Sequence, residues 1–279
     1  MPELPEVETI RRDLEKEVVG RKVKSAQVYS ARVVRRHDDE SQFCSLLEGR
    51  RVSSVGRAGK YLLLSLDGDA VLVVHLGMSG QLLHVRSPKE PMARHTHVVV
   101  TFTQGGQLRY VDPRTFGELF MTVSGGQGGR VPELVHLGFD PLEDVMSWNR
   151  FGQLLASHHV GLKTLLMDQH FVAGIGNIYS DEILFAAGLR YDRLSDSLTS
   201  QEVRRLYRSM VETLADAVKH RGSSLEDEQY RDLYGEVGDY QGQHQVYGRE
   251  GQPCRRCRNP IIRLKLTGRS AFLCERCQV

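Results

Sequence analysis

Apolar residues near the beginning of the chain recur at helical spacing. They are Val7, Ile10, Leu14 and Val18. Positions three or four apart lie on one face of an α-helix, so these residues predict an amphipathic helix over residues 5–18. Pro5 opens the segment, acidic residues fill its first turn and Gly20 follows its end, as is typical of helix boundaries.

Short runs rich in β-branched and other apolar residues replace this spacing between residues 51 and 122. The clearest runs are 61–66, 70–75, 97–103 and 107–111. Asp67-Gly68-Asp69 separates the first two, and Gln104-Gly105-Gly106 separates the last two. Strands joined by such turn sequences form antiparallel hairpins, so this part of the chain predicts a β-sandwich or a barrel.

The glycine-rich stretch 123–130, followed by Pro132, fits neither pattern and predicts a linker at a domain boundary. Helical spacing returns after it. The predicted helices cover residues 148–157, 162–167, 180–187 and 200–220. The chain therefore combines a sheet-rich first part with a helical second part, which places it in the α+β class.

The composition is that of a globular protein, with 279 residues of which 40% are hydrophobic and 26% charged. The sequence has no run of apolar residues long enough to cross a bilayer, and no basic stretch leading into an apolar one. It therefore predicts neither a membrane span nor a signal peptide, and we expect a cytoplasmic protein with no membrane partner. The net charge of +2 indicates little by itself.

The C-terminal segment contains two C-x2-C pairs. The cysteines are Cys254, Cys257, Cys274 and Cys277, with sixteen residues between the pairs. This spacing is typical of a site in which four thiolates bind one zinc ion, whereas two disulfides, the alternative, do not suit a reducing cytoplasm. Four cysteines leave no open coordination position, so the predicted Zn²⁺ is structural. Cys44, alone in the first half, is expected to be a small buried apolar residue.

Charge is segregated along the second half of the chain. Residues 249–279 carry eight arginines and lysines against two glutamates, whereas the stretch 221–242 before them is acidic. The basic residues of the cysteine-rich hairpin are Arg255, Arg256, Arg258, Arg263, Lys265 and Arg269. A zinc-held hairpin with this charge suits the phosphates of DNA, although zinc ribbons also bind RNA or proteins.

The N-terminus, Met1-Pro2-Glu3-Leu4-Pro5-Glu6, supports two interpretations. Prolines and acidic residues favour a helix start, which explains every residue structurally. Alternatively, removal of Met1 leaves Pro2 with a free secondary amine, which is unprotonated at neutral pH far more often than a lysine and is therefore a nucleophile. Such an amine can attack a sugar carbon and form an iminium, with Glu3 and Glu6 moving protons.

The segment Gly174-Ile175-Gly176-Asn177 lies between two predicted helices. Its glycines allow the backbone to approach a partner closely, and a following helix offers free N–H groups to an anion. An ordinary tight connection between helices is the alternative.

Eight segments together resemble those of formamidopyrimidine-DNA glycosylases. In chain order they cover residues 2–9, 59–62, 75–80, 112–117, 165–169, 174–179, 246–249 and the cysteine-rich hairpin. Among them are Gly59-Lys60-Tyr61-Leu62, His75-Leu76-Gly77-Met78-Ser79-Gly80 and Asp112-Pro113-Arg114-Thr115-Phe116-Gly117. The resemblance spans the whole chain, and the segments follow the family's order.

The resemblance implies an α+β protein in which an N-terminal β-sandwich flanked by helices is followed by a helix-two-turns-helix domain and a four-cysteine zinc finger. Together with the predicted linker, it divides the chain into a catalytic domain at 1–130, a helical domain at 131–243 and the zinc finger at 244–279. It also implies a bacterial-type protein, associated with the nucleoid when acting, that binds damaged double-stranded DNA across a cleft between domains. The sequence contains no visible oligomerisation motif, so we expect a monomer.

The resemblance further implies a mechanism. In the family, the processed N-terminal proline attacks C1′ of the damaged nucleotide, expels the base and forms a Schiff base, and β- and δ-elimination then cut the strand. Pro2 is therefore the implied nucleophile, Glu3 the catalytic acid and Glu6 a supporting acid. The implied substrates are oxidised purines, such as 8-oxoguanine and formamidopyrimidines, removed during base excision repair.

The resemblance also implies a set of DNA contacts. Residues that match phosphate-binding positions are Lys60, which we also count as catalytic, His75, Asn177, Tyr247 and Arg269. Lys163 matches a basic residue near the reacting nucleotide, in a supporting catalytic role. The residues that match side chains filling the gap left by an everted nucleotide are Met78, Arg114 and Phe116. Plain core packing is the alternative for the two apolar residues of this set.

The chain departs from the family pattern at three places. Thr115 stands where a second arginine is usual, and Ser223-Ser224 stand where two threonines are usual. The acidic stretch 225–240, which matches a mobile loop over the everted base, is longer than usual. These departures leave the lesion preference open. Two further hypotheses are a DNA-binding protein without catalysis and a pyrimidine-directed relative, against which Leu4 and Val7 argue.

Overall fold

The computed structural model describes residues 2–123, 131–225, 229–266 and 268–279. The chain forms two compact units. The first runs to His136 and includes Arg221–Asp239, and the second consists of Leu137–His220 and Tyr240–Val279. From residue 124 onward the predicted linker lies outside the described residues, as do residues 226–228 of the acidic stretch.

Helix α1 (Leu4–Val18) confirms the amphipathic helix predicted at the start of the chain. Glu3 is its N-cap residue, and Pro5 lies in the first turn, where a missing N–H removes no helical hydrogen bond. The apolar residues of the predicted face are all at most 1% exposed. Because this face is packed in the core of the first unit, it fixes the position of the residues just before the helix.

Two four-stranded antiparallel sheets form the body of the first unit. One sheet has the order β1-β6-β7-β5, made of Val23–Val28, Thr96–Phe102, Gln107–Val111 and Gln81–Val85. The other has the order β2-β3-β4-β8, made of Val52–Ala58, Tyr61–Leu66, Ala70–His75 and Glu118–Val123. Apolar residues of both sheets share one core with α1 and α2 (Glu40–Leu47). This arrangement confirms the predicted sandwich flanked by helices.

Both predicted hairpins are confirmed. Strand β3 pairs with β4 across a turn in which Asp69 has a φ of +57°, and β6 pairs with β7 across a turn that contains Gly105 and Gly106 at positive φ. Cys44 on α2 packs against the core of the first unit but is half-buried, not fully buried as expected. A short helix, α3 (Pro132–Val135), follows in the same unit.

The second unit contains the predicted helices and the C-terminal hairpin. The helices are α4 (Trp148–Ala156), α5 (Leu162–Leu166), α6 (Asn177–Ala187) and α7 (Ser200–Lys219). All four were predicted, but α6 begins three residues earlier than its pattern indicated. Strands β9 (Ile262–Leu266) and β10 (Arg269–Leu273) form the antiparallel hairpin. Within the described ranges, no helix is long and apolar enough to cross a membrane.

The stretch that follows α7 belongs to the first unit. Arg221 forms an ion pair with Asp13 of α1. Tyr230 and Leu233 are buried in the core, and the Leu233 carbonyl accepts a hydrogen bond from the backbone N–H of His84 in β5 at 2.7 Å. The described part of the acidic stretch, which the resemblance matches to a mobile loop, is therefore anchored on α1 and β5.

Candidate active site and DNA-binding surfaces

Two buried carboxylates lie at the beginning of α1, directly after Pro2. Glu3 and Glu6 are 2% and 1% exposed, and the backbone N–H of Glu3 donates to Glu6 Oε2 at 2.8 Å. Pro2 is itself buried. The structure thus places two acidic groups next to the residue whose amine is released by removal of Met1.

Glu6 also holds the segment that follows α7. Its Oε1 accepts the backbone N–H of Ser223 at 2.7 Å. Gly222 has a φ of +79°, and a Cβ atom at this position would lie 2.7 Å from Glu6 Oε1. The close approach therefore requires glycine, and hydrogen bonds hold both oxygens of Glu6.

A cluster of arginines inside the first unit joins α1 to β2. Glu8 accepts hydrogen bonds from Arg11 and Arg12 of its own helix and, at 3.0 Å, from Arg57 of β2. Burial alone would raise the pKa of Glu8, but the hydrogen bonds from the three arginines outweigh it and lower the pKa to about 2. The sequence did not single out Arg57, whose side chain is only 1% exposed.

Replacing Glu8 with glutamine is expected to lower the free energy of unfolding at neutral pH by about 3–5 kcal/mol, because the buried pair with Arg57 at 3.0 Å then loses its negative charge. Since the folded pKa is lowered, the stabilisation from Glu8 is complete above its ordinary pKa of 4.5 and is lost as the pH falls toward about 2. The stability difference between wild type and Glu8→Gln, measured by urea unfolding, should shrink over that interval.

Glu15→Gln is the matched control for this prediction. Glu15 pairs with Arg11 at 2.9 Å, but its side chain is 57% exposed. Loss of this exposed pair should therefore cost less than about 1 kcal/mol. Equal losses in the two variants would contradict the role assigned to the buried cluster.

Met78, Arg114 and Phe116 project from two loops of the first unit. Met78 lies between β4 and β5 and is 39% exposed, and Phe116 lies between β7 and β8 and is 52% exposed. The guanidinium carbon of Arg114 lies 4.8 Å from the centre of the Phe116 ring. Core packing, the alternative for the two apolar residues, is therefore wrong.

Lys60 and His75 are brought together by the pairing of β3 with β4. Tyr61, directly after Lys60, is the cross-strand partner of His75, and their rings lie 4.6 Å apart. Burial lowers the pKa of His75, so its imidazole is neutral at neutral pH and offers one N–H donor. Lys60 supplies a charge and His75 a directed hydrogen bond, which is compatible with the predicted phosphate contact, and that contact stays a prediction.

Lys163 is buried in the second unit, where it is 2% exposed. Its Nζ donates to Asp181 Oδ1 at 2.6 Å, to the carbonyl oxygen of Ser270 at 2.8 Å and to that of Asn177 at 3.5 Å. Burial raises the pKa of Asp181 to about 7, and the ammonium group of Lys163 acts in the opposite direction. Lys163 therefore links α5, α6 and β10, and a role beside the reacting nucleotide stays a prediction.

Glu182, the next residue of α6, holds the segment that contains Tyr247. Its carboxylate is fully buried and accepts the backbone N–H groups of Gln245, Val246 and Tyr247 at 2.8–3.0 Å. The Tyr247 ring packs at 5.0 Å from that of Phe272 in β10. Neither Asp181 nor Glu182 was predicted. The signal was present, because two consecutive acidic residues in an otherwise apolar helix require buried partners.

Asn177 and Arg269 occupy the ends of two elements that Lys163 connects. Asn177 is the first residue of α6, and its buried Oδ1 has no hydrogen-bond partner among the described residues. Arg269 begins β10, and its side chain is exposed, with one guanidinium nitrogen 3.8 Å from Met167 Sδ. Both positions are compatible with the predicted phosphate contacts.

The four predicted cysteines form one cluster at the C-terminal hairpin. Their Sγ atoms all lie within 4.8 Å of one another, with 3.4 Å between Cys257 and Cys274 and 3.9 Å between Cys254 and Cys277. Zn–S bonds of about 2.3 Å in a tetrahedron place sulfur atoms about 3.8 Å apart. The cluster fits one structural zinc ion, and with four protein ligands it leaves no position for a substrate.

Two arginines near this cluster donate hydrogen bonds to carbonyl groups of the protein itself. Arg255 donates to the carbonyl oxygen of Gly242 at 2.9 Å. Arg256 donates to the carbonyl oxygen of Phe185 at 2.9 Å and stacks on that ring at 4.2 Å. Both arginines are nevertheless exposed, and each guanidinium keeps its charge and further N–H donors, so their predicted part in a phosphate-binding surface stays a prediction.

Three family models match the chain in order. The formamidopyrimidine-DNA glycosylase N-terminal domain matches residues 1–119, and the H2TH domain of the same glycosylase matches residues 137–229. A zinc finger found in FPG and IleRS matches residues 251–279.

Relatives and solved structures are similar over the whole chain. The chain is 43% identical to a formamidopyrimidine-DNA glycosylase of Heliobacterium modesticaldum, covering 100% of both. It is 39% identical to that of Pelotomaculum thermopropionicum, covering 100% of this chain and 99% of the relative. MutM (Fpg) from Thermus thermophilus superposes with a TM-score of 0.87 at 41% identity, over 99% of this chain and 98% of that one. Lactococcus lactis Fpg, bound to DNA containing N7-benzyl-Fapy-dG, superposes with a TM-score of 0.89 at 33% identity, over 99% of each chain.

Proposed function

This chain belongs to the formamidopyrimidine-DNA glycosylase family, and from that premise we propose that it excises oxidised purines from double-stranded DNA and then cleaves the strand. Solved Lactococcus lactis relatives are bound to DNA with Fapy-dG and to DNA with an abasic site. The proposed substrates of this chain are 8-oxoguanine and formamidopyrimidines, and the abasic site is the intermediate that it cleaves.

One observation supports this function most directly. Pro2 is buried immediately before two carboxylates, Glu3 and Glu6, that are themselves almost fully buried. A nucleophile that must exchange protons with a sugar needs acidic groups in a place where water does not compete. The capping of a helix alone would not require both carboxylates to be buried, since carboxylates at helix starts are usually solvated.

The proposed reaction runs through the nitrogen of Pro2 after Met1 is removed. This nitrogen attacks C1′ and forms a bond as the bond from C1′ to the base breaks. The base leaves with the electron pair and takes up a proton, while the nitrogen gives up its own proton, so that its lone pair can later open the sugar ring. Glu3 supplies the proton that the sugar oxygen needs when the ring opens to an iminium. Loss of a proton from C2′ then expels the 3′ phosphate, a second elimination expels the 5′ phosphate, and hydrolysis releases Pro2.

The other predicted residues bind or position DNA in this proposal. The proposed phosphate contacts are Lys60, His75, Asn177, Tyr247 and Arg269. Lys60 also acts as a catalytic group, and Lys163 supports catalysis through the position that it gives to Asn177 and β10. Met78, Arg114 and Phe116 fill the gap left by the everted nucleotide, because exposed apolar and cationic side chains can replace a lost stacking partner.

The decisive experiment is borohydride trapping of the protein on a panel of duplexes. Borohydride reduces an iminium to a stable amine, so a covalent adduct on a denaturing gel reports the proposed intermediate. We expect adducts with 8-oxoguanine opposite cytosine and with an abasic site. Preferential trapping on thymine glycol would indicate a pyrimidine-directed enzyme instead. Binding without any adduct would indicate a DNA-binding protein without catalysis.

The proposal includes a monomer that works in the cytoplasm on nucleoid DNA. A four-thiolate zinc site needs reduced cysteines, which a reducing compartment maintains. Sedimentation at the mass of one chain, alone and with one DNA duplex, tests the monomer. Limited proteolysis tests the proposed division into domains at 1–130, 131–243 and 244–279.

A further inference from the structure

We propose that Asp112 is a positioning residue that holds Met78, Arg114 and Phe116 in one fixed arrangement. The inference rests on the proposed function, because it assigns these three side chains to the gap left by an everted nucleotide. Asp112 lies directly after β7, is 0% exposed, and does not itself reach the surface.

The carboxylate of Asp112 joins the two loops that carry these side chains. Its Oδ1 accepts the hydroxyl of Ser79 at 2.6 Å and the backbone N–H of Arg114 at 3.2 Å. Its Oδ2 accepts the backbone N–H of Gly117 at 2.9 Å and the hydroxyl of Tyr110 at 3.1 Å. Ser79 directly follows Met78 in the sequence. Arg114 and Gly117 lie before and after Phe116 in the sequence. One buried carboxylate therefore bonds to the chain beside each of the three side chains.

The loops also contact each other through their backbones. Gly77 has a φ of +62°, and a Cβ atom there would lie 2.5 Å from the backbone nitrogen of Gly117. A Cβ atom at Gly117 would lie 1.9 Å from the hydroxyl oxygen of Tyr110. Burial and the nearby Asp112 raise the pKa of Tyr110, so this hydroxyl remains protonated and donates. The loops thus form one packed body around the carboxylate.

The exposed side chains need such a support. Met78 and Phe116 are 39% and 52% exposed, so burial holds neither of them in place. Thr115, between Arg114 and Phe116, has a φ of +53°, a conformation that is strained for a residue with a branched side chain. The hydrogen bonds of Asp112 to the residues on both sides of Thr115 offset this strain. The buried carboxylate therefore fixes the backbone of the two loops, and the backbone fixes where the three side chains lie.

The test compares two reactions of Asp112→Asn. An amide has only one acceptor oxygen, so at least one buried N–H of the loops loses its partner. We expect excision of 8-oxoguanine from a duplex to slow by about tenfold to a hundredfold in single turnover. Cleavage of a single-stranded abasic oligonucleotide, in which no base has to be replaced, should change by less than about threefold. The ratio of the two rates is the measured quantity.

Two further variants keep the test decisive. Ser79→Ala removes only the hydrogen bond between the loops and is expected to lower the same ratio by about threefold to tenfold, even if Asp112→Asn does not fold. Asp140→Asn is the matched control, because Asp140 is also a buried carboxylate but lies in the second unit. Like Asp112, it accepts the backbone N–H of the residue two positions later, here Leu142 at 3.0 Å. The ratio should be unchanged in this control.

A spectroscopic signal separates positioning from general destabilisation. The fluorescence of 2-aminopurine beside the lesion rises when the neighbouring base leaves the stack, and this rise should be slower in Asp112→Asn and Ser79→Ala at equal active-site concentration. A wild-type ratio in both variants would overturn the proposal for Asp112. Failure of the wild-type protein to excise any lesion would instead overturn the proposed function, so the two failures are distinguishable.

Discussion

Protein that retains Met1 is expected to lose base excision and borohydride trapping by at least about a thousandfold, while its affinity for a duplex with an abasic-site analogue stays unchanged. In this protein the nitrogen of Pro2 belongs to an amide, whose lone pair is delocalised into the carbonyl group and does not attack carbon. After removal of Met1 it is a free α-amino group, a class of amine that loses its proton at lower pH than a lysine side chain, so a far larger fraction is unprotonated near neutral pH.

A matched pair of samples is available from one expression. Inhibition of methionine aminopeptidase during expression gives the chain with Met1, and treatment with purified aminopeptidase then removes it, with mass spectrometry reporting the state of the N-terminus. Pro2→Gly, processed to a primary amine, should still form an adduct, but more slowly than wild type. Trapping of the untreated sample at the rate of the treated one would exclude Pro2 as the nucleophile.

The elements that could be predicted carry a complete local pattern. Helix α1 has its cap, its apolar face and its stop within eighteen residues, and β3, β4, β6 and β7 are short apolar runs joined in pairs by clear turns. Strands β1 and β2 were not among the predicted runs, since their buried positions lie three residues apart, at Val23 and Ala26 in β1 and at Val52 and Val55 in β2. Such a spacing breaks the period of two that identifies a strand.

The beginning of α6 was placed too late for a different reason. Most of this helix is buried, including Ile178 and Tyr179 in its first turn. A helix that is buried on most sides has no polar face, so the periodicity that locates a boundary is weak. Gly176, its N-cap residue, offers no side-chain oxygen to signal the start.

The residues of the candidate site also differ in how far the sequence alone indicates their roles. The four cysteines were predictable, because their two C-x2-C pairs are visible in the sequence and the structure brings them into one cluster. The catalytic roles of Pro2 and Glu3 stay predictions. Arg57 and Asp112 were not recognised for their roles, since these depend on partners that are brought close only by the fold, as Glu8 is to Arg57. Charge counting likewise does not show that Arg256 donates a hydrogen bond to a carbonyl group of the protein itself.

Removal of zinc is expected to impair DNA binding and to leave the chemistry at Pro2 largely intact. Cys274→Ser removes one thiolate from a closed site, and metal binding in small zinc domains contributes on the order of 10 kcal/mol to folding. Without the ion, the remaining core around the hairpin is small, consisting of Phe185, Val246, Ile261 and Phe272. Arg269 and Tyr247 then lose their supports, so the affinity for duplex DNA should fall by about a hundredfold and become less dependent on salt.

The kinetic signature distinguishes this defect from loss of the nucleophile. Because the hairpin acts through binding, a saturating concentration of abasic DNA should restore the trapping rate of Cys274→Ser to within about tenfold of wild type. No concentration of DNA should restore trapping by the chain that retains Met1. Cys44→Ser is the matched control, since Cys44 lies in the first unit, outside the four-cysteine cluster, and should retain zinc and affinity. Wild-type affinity in a Cys274→Ser protein shown to contain no metal would contradict the structural role of the zinc site. A zinc ion with four protein ligands has no coordination position left for a substrate, so a structural role is the one that it can have.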